Sequence, residues 1–250
     1  MMKKIMKNMC LALMAIIMLG ACKKEEEILA NTKQVLDFHW HSKVGSVDAK
    51  YGVEYTTKGG VKFELTDWRY YVSNFVLVKE DGTEYPVADK VFLINIANAD
   101  YSLDSVPVGK YSGFKFYVGL DSATNHLDPT LYAAGNPLAL QNPPIHWSWN
   151  AGYIFFKVET LFDHSEDGSG SPDTESFHHI GTDNLKRTIS LMEPFEIKSG
   201  SDKTIHLQMD LLEVFKDVDL KTESVTHSFG PEAALAKKIA DDWQSAFSLD

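Results

Sequence analysis

The sequence predicts a mainly β protein, an antiparallel β-sandwich with a C-terminal α-helix. Three observations carry that prediction. From Val35 onward, short apolar or alternating runs are separated by turn signals. One of them, Trp68 to Lys79 (WRYYVSNFVLVK), is a long aromatic and β-branched stretch that stops at the turn Glu80-Asp81-Gly82. A clear helical period appears once, after Pro231.

The N-terminus has a different character. Lys3, Lys4 and Lys7 precede an unbroken apolar or small-residue run from Met9 to Ala21. That run falls short of the ~20 apolar residues that cross a bilayer, and its layout is that of a secretory signal. It ends in Leu19-Gly20-Ala21-Cys22, which resembles the bacterial lipobox. The resemblance implies cleavage before Cys22 and a diacylglycerol on its thiol, so that residues 1–21 are signal, 22–34 a lipidated tether and 35–250 the folded domain. Each buried CH₂ contributes ~0.8 kcal/mol, so two or three acyl chains anchor the protein to a lipid membrane. The expected location is the cell envelope, at the outer membrane, with the leaflet left open. Lys23-Lys24-Glu25-Glu26-Glu27 fits either a surface-export signal or a solvated tether.

The elements follow in order. Val35 to His41 alternates, with Leu36, Phe38 and Trp40 on one face and Asp37, His39 and His41 on the other. After the Trp68–Lys79 strand come a short apolar strand at Val91–Ile96, a turn at Val106-Pro107-Val108-Gly109 and an alternating strand at Tyr111–Leu120. Residues 121–144 are rich in Asn, Asp and Pro and read as a long loop. Trp147 to Glu159 reads as a strong strand, with Asn150 to Gly152 as a bulge or bend in it. Asp163 to Ser176 is polar and Gly/Ser-rich and reads as a loop, and Thr188–Ile197 and Thr204–Leu212 as strands. Gly230-Pro231-Glu232 opens a helix whose Leu235, Ile239 and Trp243 recur at i, i+4 and i+8. No internal repeat or interior domain boundary stands out.

Charge and cysteine usage exclude several functions. Removing residues 1–21 takes three lysines from the 24 basic residues and none of the 35 acids, leaving 21 against 35 and a formal charge of −14. Such a surface repels phosphate backbones, which argues against nucleic acid as a partner. Cys10 lies in the signal and Cys22 carries the lipid, so the domain has no thiol for nucleophilic catalysis, cysteine-zinc sites or iron–sulfur clusters. Any metal must be held by His, carboxylate, Met or backbone oxygen. No P-loop, dinucleotide fingerprint, nucleophile elbow or H-E-x-x-H occurs, and no enzymatic activity is expected. Asp217 and Asp219 read as a solvated turn. The stretch Asp163 to Glu175 offers oxygen donors without EF-hand spacing, a weak pointer to calcium.

Histidines are the stronger lead. His39 and His41, at i and i+2 of a strand, point to one side of the sheet, so both imidazoles can reach one ion. The bland alternative is two solvent-facing residues of an amphipathic strand. A third donor must come from elsewhere, and His126, His146, His178 and His179 lie in or beside expected loops. Of the adjacent His178 and His179, only one can face the site from an extended segment. His206 alternates with Ile205 and Leu207 and reads as structural.

Several elements occur together in one order: Tyr70-Tyr71-Val72-Ser73-Asn74, Tyr111-Ser112-Gly113-Phe114-Lys115-Phe116, Val118-Gly119-Leu120-Asp121, Asn125-His126, His146-Trp147-Ser148-Trp149-Asn150-Ala151-Gly152-Tyr153 and Phe177-His178-His179-Ile180-Gly181-Thr182. This set resembles the MbnP-like copper-binding domain from about Val35 to Phe247, most specifically through Trp-x-Trp-x-x-Gly-Tyr. The resemblance implies an extracytoplasmic β-sandwich that holds a copper ion through histidines beside a tryptophan oxidised to kynurenine by a di-haem peroxidase-like partner. Trp147 and Trp149 are the candidates for that modification. Read from the residues alone, each is first a core aromatic. Some family members carry two cysteines after the His-Gly element, and this chain does not.

The expected function is therefore extracytoplasmic metal binding, with copper as the ion, for storage, delivery or sensing. The alternative is a surface module that binds a glycan or protein through its loops.

Overall fold

The computed structural model describes residues 32–148 and 151–250. The signal, Cys22 and Trp149 lie outside them. The strands are β1 (Lys33–Val44), β2 (Val47–Asp48), β3 (Glu54–Thr56), the 18-residue β4 (Lys62–Lys79), β5 (Glu84–Pro86), β6 (Val91–Asn95), β7 (Asp100–Pro107) and β8 (Gly109–Val118). A loop with the one-turn helix α1 (Ser122–Asn125) leads to β9 (His146–Ser148) and β10 (Gly152–Phe162). Then follow β11 (Thr174–Gly181), β12 (Arg187–Leu191), β13 (Phe195–Ile197), β14 (Lys203–Asp210), α2 (Leu211–Val214), β15 (Val225–Thr226), α3 (Ala233–Ala246) and β16 (Phe247–Leu249).

The fold is mainly β, as the alternating runs predict. In the smaller sheet β1 is central, with β14 and then β16 on one side and β7 and β2 on the other. The larger sheet runs β12-β8-β4-β10-β11-β15, with short strands at its margins. The sheets are mixed: β1 pairs parallel with β14, and β11 with β15. This departs from an all-antiparallel sandwich, because no hairpin links β1 to a strand more than 150 residues away in sequence.

The two sheets pack through aromatic side chains. Phe38 stacks on Phe75 at 5.7 Å, and Trp40 sits edge-on to Phe116 at 5.8 Å and donates its indole N–H to the Tyr70 hydroxyl at 2.7 Å. Along β4 the buried inner residues are Phe63, Leu65, Trp68, Tyr70, Val72, Phe75 and Leu77. The three-residue steps from Leu65 to Trp68 and from Val72 to Phe75 coincide with register shifts in the ladders. Each is a bulge that restores the inward phase. Asn74 stands at the second in the left-handed region, φ +51°.

Helix α3 buries Ala236, Ile239, Ala240, Trp243 and Ala246. It holds β10 through Trp243 on Phe156 (5.3 Å) and β12 through Arg187–Asp241 and the Ser190–Gln244 hydrogen bonds. The loop 121–145 covers the outer face of the larger sheet over a second cluster of Tyr71, Leu120, Leu138, Ile145, Tyr153, Ile154 and Phe155. The Tyr71 and Tyr153 hydroxyls donate to the Pro137 and Leu138 carbonyls.

Two expectations are corrected and one strand is added. The run Trp147 to Glu159 falls in two strands, β9 and β10, that pair antiparallel with each other. Asp100–Pro107 is a strand, since β1 supplies hydrogen bonds that no local signal announces. Thr174–Gly181 is also a strand, so His178 and His179 stand on a ladder between β10 and β15.

Candidate metal centre

The alternation of β1 buries Leu36, Phe38 and Trp40 and leaves His39 and His41 on the outward face. The neighbours of β1 complete a row. His39 is opposite His206 on β14 and opposite Asp100 on β7. Asp250, just past β16, donates its backbone N–H to the His206 carbonyl at 3.1 Å. Asp100, His39 and His206 thus lie on three adjacent strands, with Asp250 at the end of the fourth and His41 one pleat along.

The donor atoms converge. One nitrogen from each of His39, His41 and His206 lies within 4.8 Å of the other two. His41 Nε2 is 3.4 Å from His206 Nδ1, and the three ring centroids are 4.7–5.7 Å apart. Asp100 Oδ1 lies 2.7 Å from His39 Nδ1, which fixes the ring and turns Nε2 free as a ligand. Asp250 Oδ2 is 3.7 Å from His41 Nε2. Burial first, and then the neighbouring His39 and Lys43, lower the His41 pKa. That ring therefore keeps its lone pair at neutral pH.

His206 corrects the expectation that it is structural. It is exposed, on the polar face that alternates with buried Ile205 and Leu207. The sequence carried that polar-face signal, but the parallel pairing that seats His206 beside His39 has no local signature.

The remaining candidates stand elsewhere. His126 is exposed and faces Asp183 at 3.4 Å. His146 packs on Tyr153, and burial lowers its pKa. His179 Nε2 donates to Glu159 Oε1 at 2.9 Å. That bond, and then Lys157, hold the Glu159 carboxyl down to about 2 against the opposing effect of burial. Lys157 also bonds Asp67, which the Arg69 guanidinium grips with two nitrogens. This polar ladder crosses the outer face of β4, β10 and β11. Trp147 packs against Phe229 at 5.1 Å and lies so close to Gly181 that a Cβ there would meet its ring at 2.7 Å. Among the described residues, the three histidines are the one group of His, Cys and carboxylate side chains with metal-ligand spacing.

His178 is fully buried. Its Nε2 donates to the Glu223 carbonyl at 2.8 Å, its ring packs on Phe215, and its Nδ1 has no partner among the described residues. Burial pushes its pKa down to about 4. Folding therefore favours the neutral ring. The associated stability is complete above the unfolded pKa of 6.5 and is lost as pH falls towards 4. Between pH 7 and pH 5 the loss from this residue is about 2 kcal/mol. Urea unfolding at both pH values checks it, with His178→Gln expected to lose about 2 kcal/mol less than wild type over that interval. Equal losses would place the acid sensitivity in other groups.

The family model described as MbnP matches residues 33–228. A solved structure, "MbnP from Methylosinus trichosporium", superposes with a TM-score of 0.61 at 17% sequence identity, covering 87% of this chain and 98% of that one. No curated protein sequence matches the chain.

Proposed function

Because the chain belongs to the MbnP family, we propose that it is a non-catalytic, lipid-anchored protein of the cell envelope that binds copper through His39, His41 and His206. Storage, delivery or sensing of the ion would each use such a site. The anchor in this reading is acylated Cys22, and a di-haem peroxidase-like protein is the proposed partner.

The observation that carries the reading is the 3.4 Å between His41 Nε2 and His206 Nδ1, with His39 beside them. Two nitrogens that share a tetrahedral ion at about 2.0–2.1 Å are about 3.3–3.4 Å apart. A linear two-imidazole site would separate them by about 4.0 Å. The pair is thus spaced for an ion with three or four ligands. Imidazole suits copper and zinc, and membership of the MbnP family supports copper.

Copper titration of the purified full-length protein, followed by competition with a chelator of known affinity, tests the proposal. One equivalent per chain is expected. Affinity should fall as pH drops below the ordinary histidine pKa of ~6.5, because protons compete for the same lone pairs. No copper binding by wild type would end the proposal and favour a surface interaction module.

A further inference from the structure

The hairpin between β10 and β11 holds a second cluster of ligand-type atoms, on the larger sheet and made of oxygen. Residues 163–173 form a loop closed at its neck by Asp173 N–H donating to the Phe162 carbonyl (3.3 Å) and Asp163 N–H to the Lys62 carbonyl (2.9 Å). It begins Asp163-His164-Ser165-Glu166-Asp167-Gly168. The loop lacks the complete EF-hand spacing, but its start, oxygen side chains at positions 1, 3 and 5 followed by glycine at 6, matches the first half of that calcium loop. The glycine there makes a sharp turn, and Gly168 adopts φ +69°.

Ser165 links the two carboxylates, bonding Asp163 and standing within reach of Asp167. Ser165 Oγ donates to Asp163 Oδ1 at 2.6 Å and accepts from Gly170 N–H at 3.0 Å. A Cβ on Gly170 would fall 2.5 Å from Asp163 Oδ1, so the carboxylate points across the loop at its closing residue. Asp163 is 1% exposed, and its Oδ2 accepts no hydrogen bond among the described residues. A buried carboxylate oxygen without a donor is costly, and a hard cation satisfies it without a proton.

We infer that this loop binds Ca²⁺ through Asp163, Ser165 and Asp167. An all-oxygen donor set suits calcium, whereas copper and zinc prefer the imidazoles of β1 and β14. Position 12, where an EF-hand places a bidentate glutamate, is Thr174. Lys62 and Lys221 donate to the Gly170 and Ser165 carbonyls, which brings positive charge to the loop's edge. Both features weaken the site, so its dissociation constant belongs to the extracellular class of about 0.1–1 mM.

The test is calorimetric titration of CaCl₂ into the full-length protein at constant ionic strength, alongside MgCl₂. The expected result is saturable Ca²⁺ binding with one site per chain, at least tenfold weaker Mg²⁺ binding, and at least tenfold loss of Ca²⁺ affinity in Asp167→Asn. Asp167 is exposed, so its replacement spares the fold, whereas Asp163 is buried. Absence of saturable Ca²⁺ binding up to 10 times the upper dissociation constant would overturn the inference. So would wild-type affinity in Asp167→Asn, which would assign the binding to scattered surface carboxylates.

Discussion

His206→Ala is expected to weaken copper binding at least a hundredfold. The loss of an outer-shell partner already costs about 10–100-fold at metal sites, and His206 supplies a ligand nitrogen itself. His39→Ala should cost as much, since His39 stands between His206 and Asp100 in the same row of the sheet. The double variant should leave no site, because His41 alone cannot hold the ion against a chelator. His126→Ala is the control. Its ring lies in a different pairing, with Asp183, and affinity should be unchanged. All three positions are solvent-facing or half-buried, so loss of affinity would not reflect unfolding. Chelator competition on each variant gives the comparison. Wild-type affinity in His206→Ala together with loss in His39→Ala would reduce the site to the two β1 histidines and make its geometry nearer linear.

Half of this site was legible in the sequence. The period-2 pattern of β1 gave both the buried face of Leu36, Phe38 and Trp40 and the outward pair His39 and His41. A strand's own alternation says nothing about its neighbours. His206 and Asp100 reach His39 through pairing across long stretches of chain, one partner parallel and one antiparallel. The same limit explains the fold. Long apolar strands such as β4 and the Leu235–Ile239–Trp243 stripe of α3 were visible because their burial is local in period. Strand β11 was not, since Thr174-Glu175-Ser176-Phe177-His178-His179 is polar in composition. Its ladder with β10 and the buried Ser176–Thr160 hydroxyl pair at 2.7 Å make it a strand. His178 was missed as a core residue for a related reason: the Glu223 carbonyl that satisfies its Nε2 is 45 residues away.

Trp243→Ala is expected to destabilise the protein by about 3–5 kcal/mol, the range for removing a buried tryptophan and leaving a cavity. Trp243 has no solvent exposure and lies on Phe156 at 5.3 Å, between Ile239 one turn earlier and Ala246 at the helix end. A helix of 14 residues has little stability of its own and relies on this apolar stripe. Its docking also delivers β16 to the edge of β14, where Phe247 pairs with Met209 and packs on Trp40 and Phe116. Trp243 Nε1 is buried without a partner among the described residues, so Trp243→Phe removes an unsatisfied donor along with part of the ring. Its cost should stay below about 1.5 kcal/mol, because the lost volume is offset by the removed desolvation penalty. Urea unfolding of the two variants separates packing from polarity. A loss under about 1 kcal/mol in Trp243→Ala would show that α3 is not anchored through this ring. An equal loss in both variants would mean that the indole N–H has a partner that the buried stripe does not reveal.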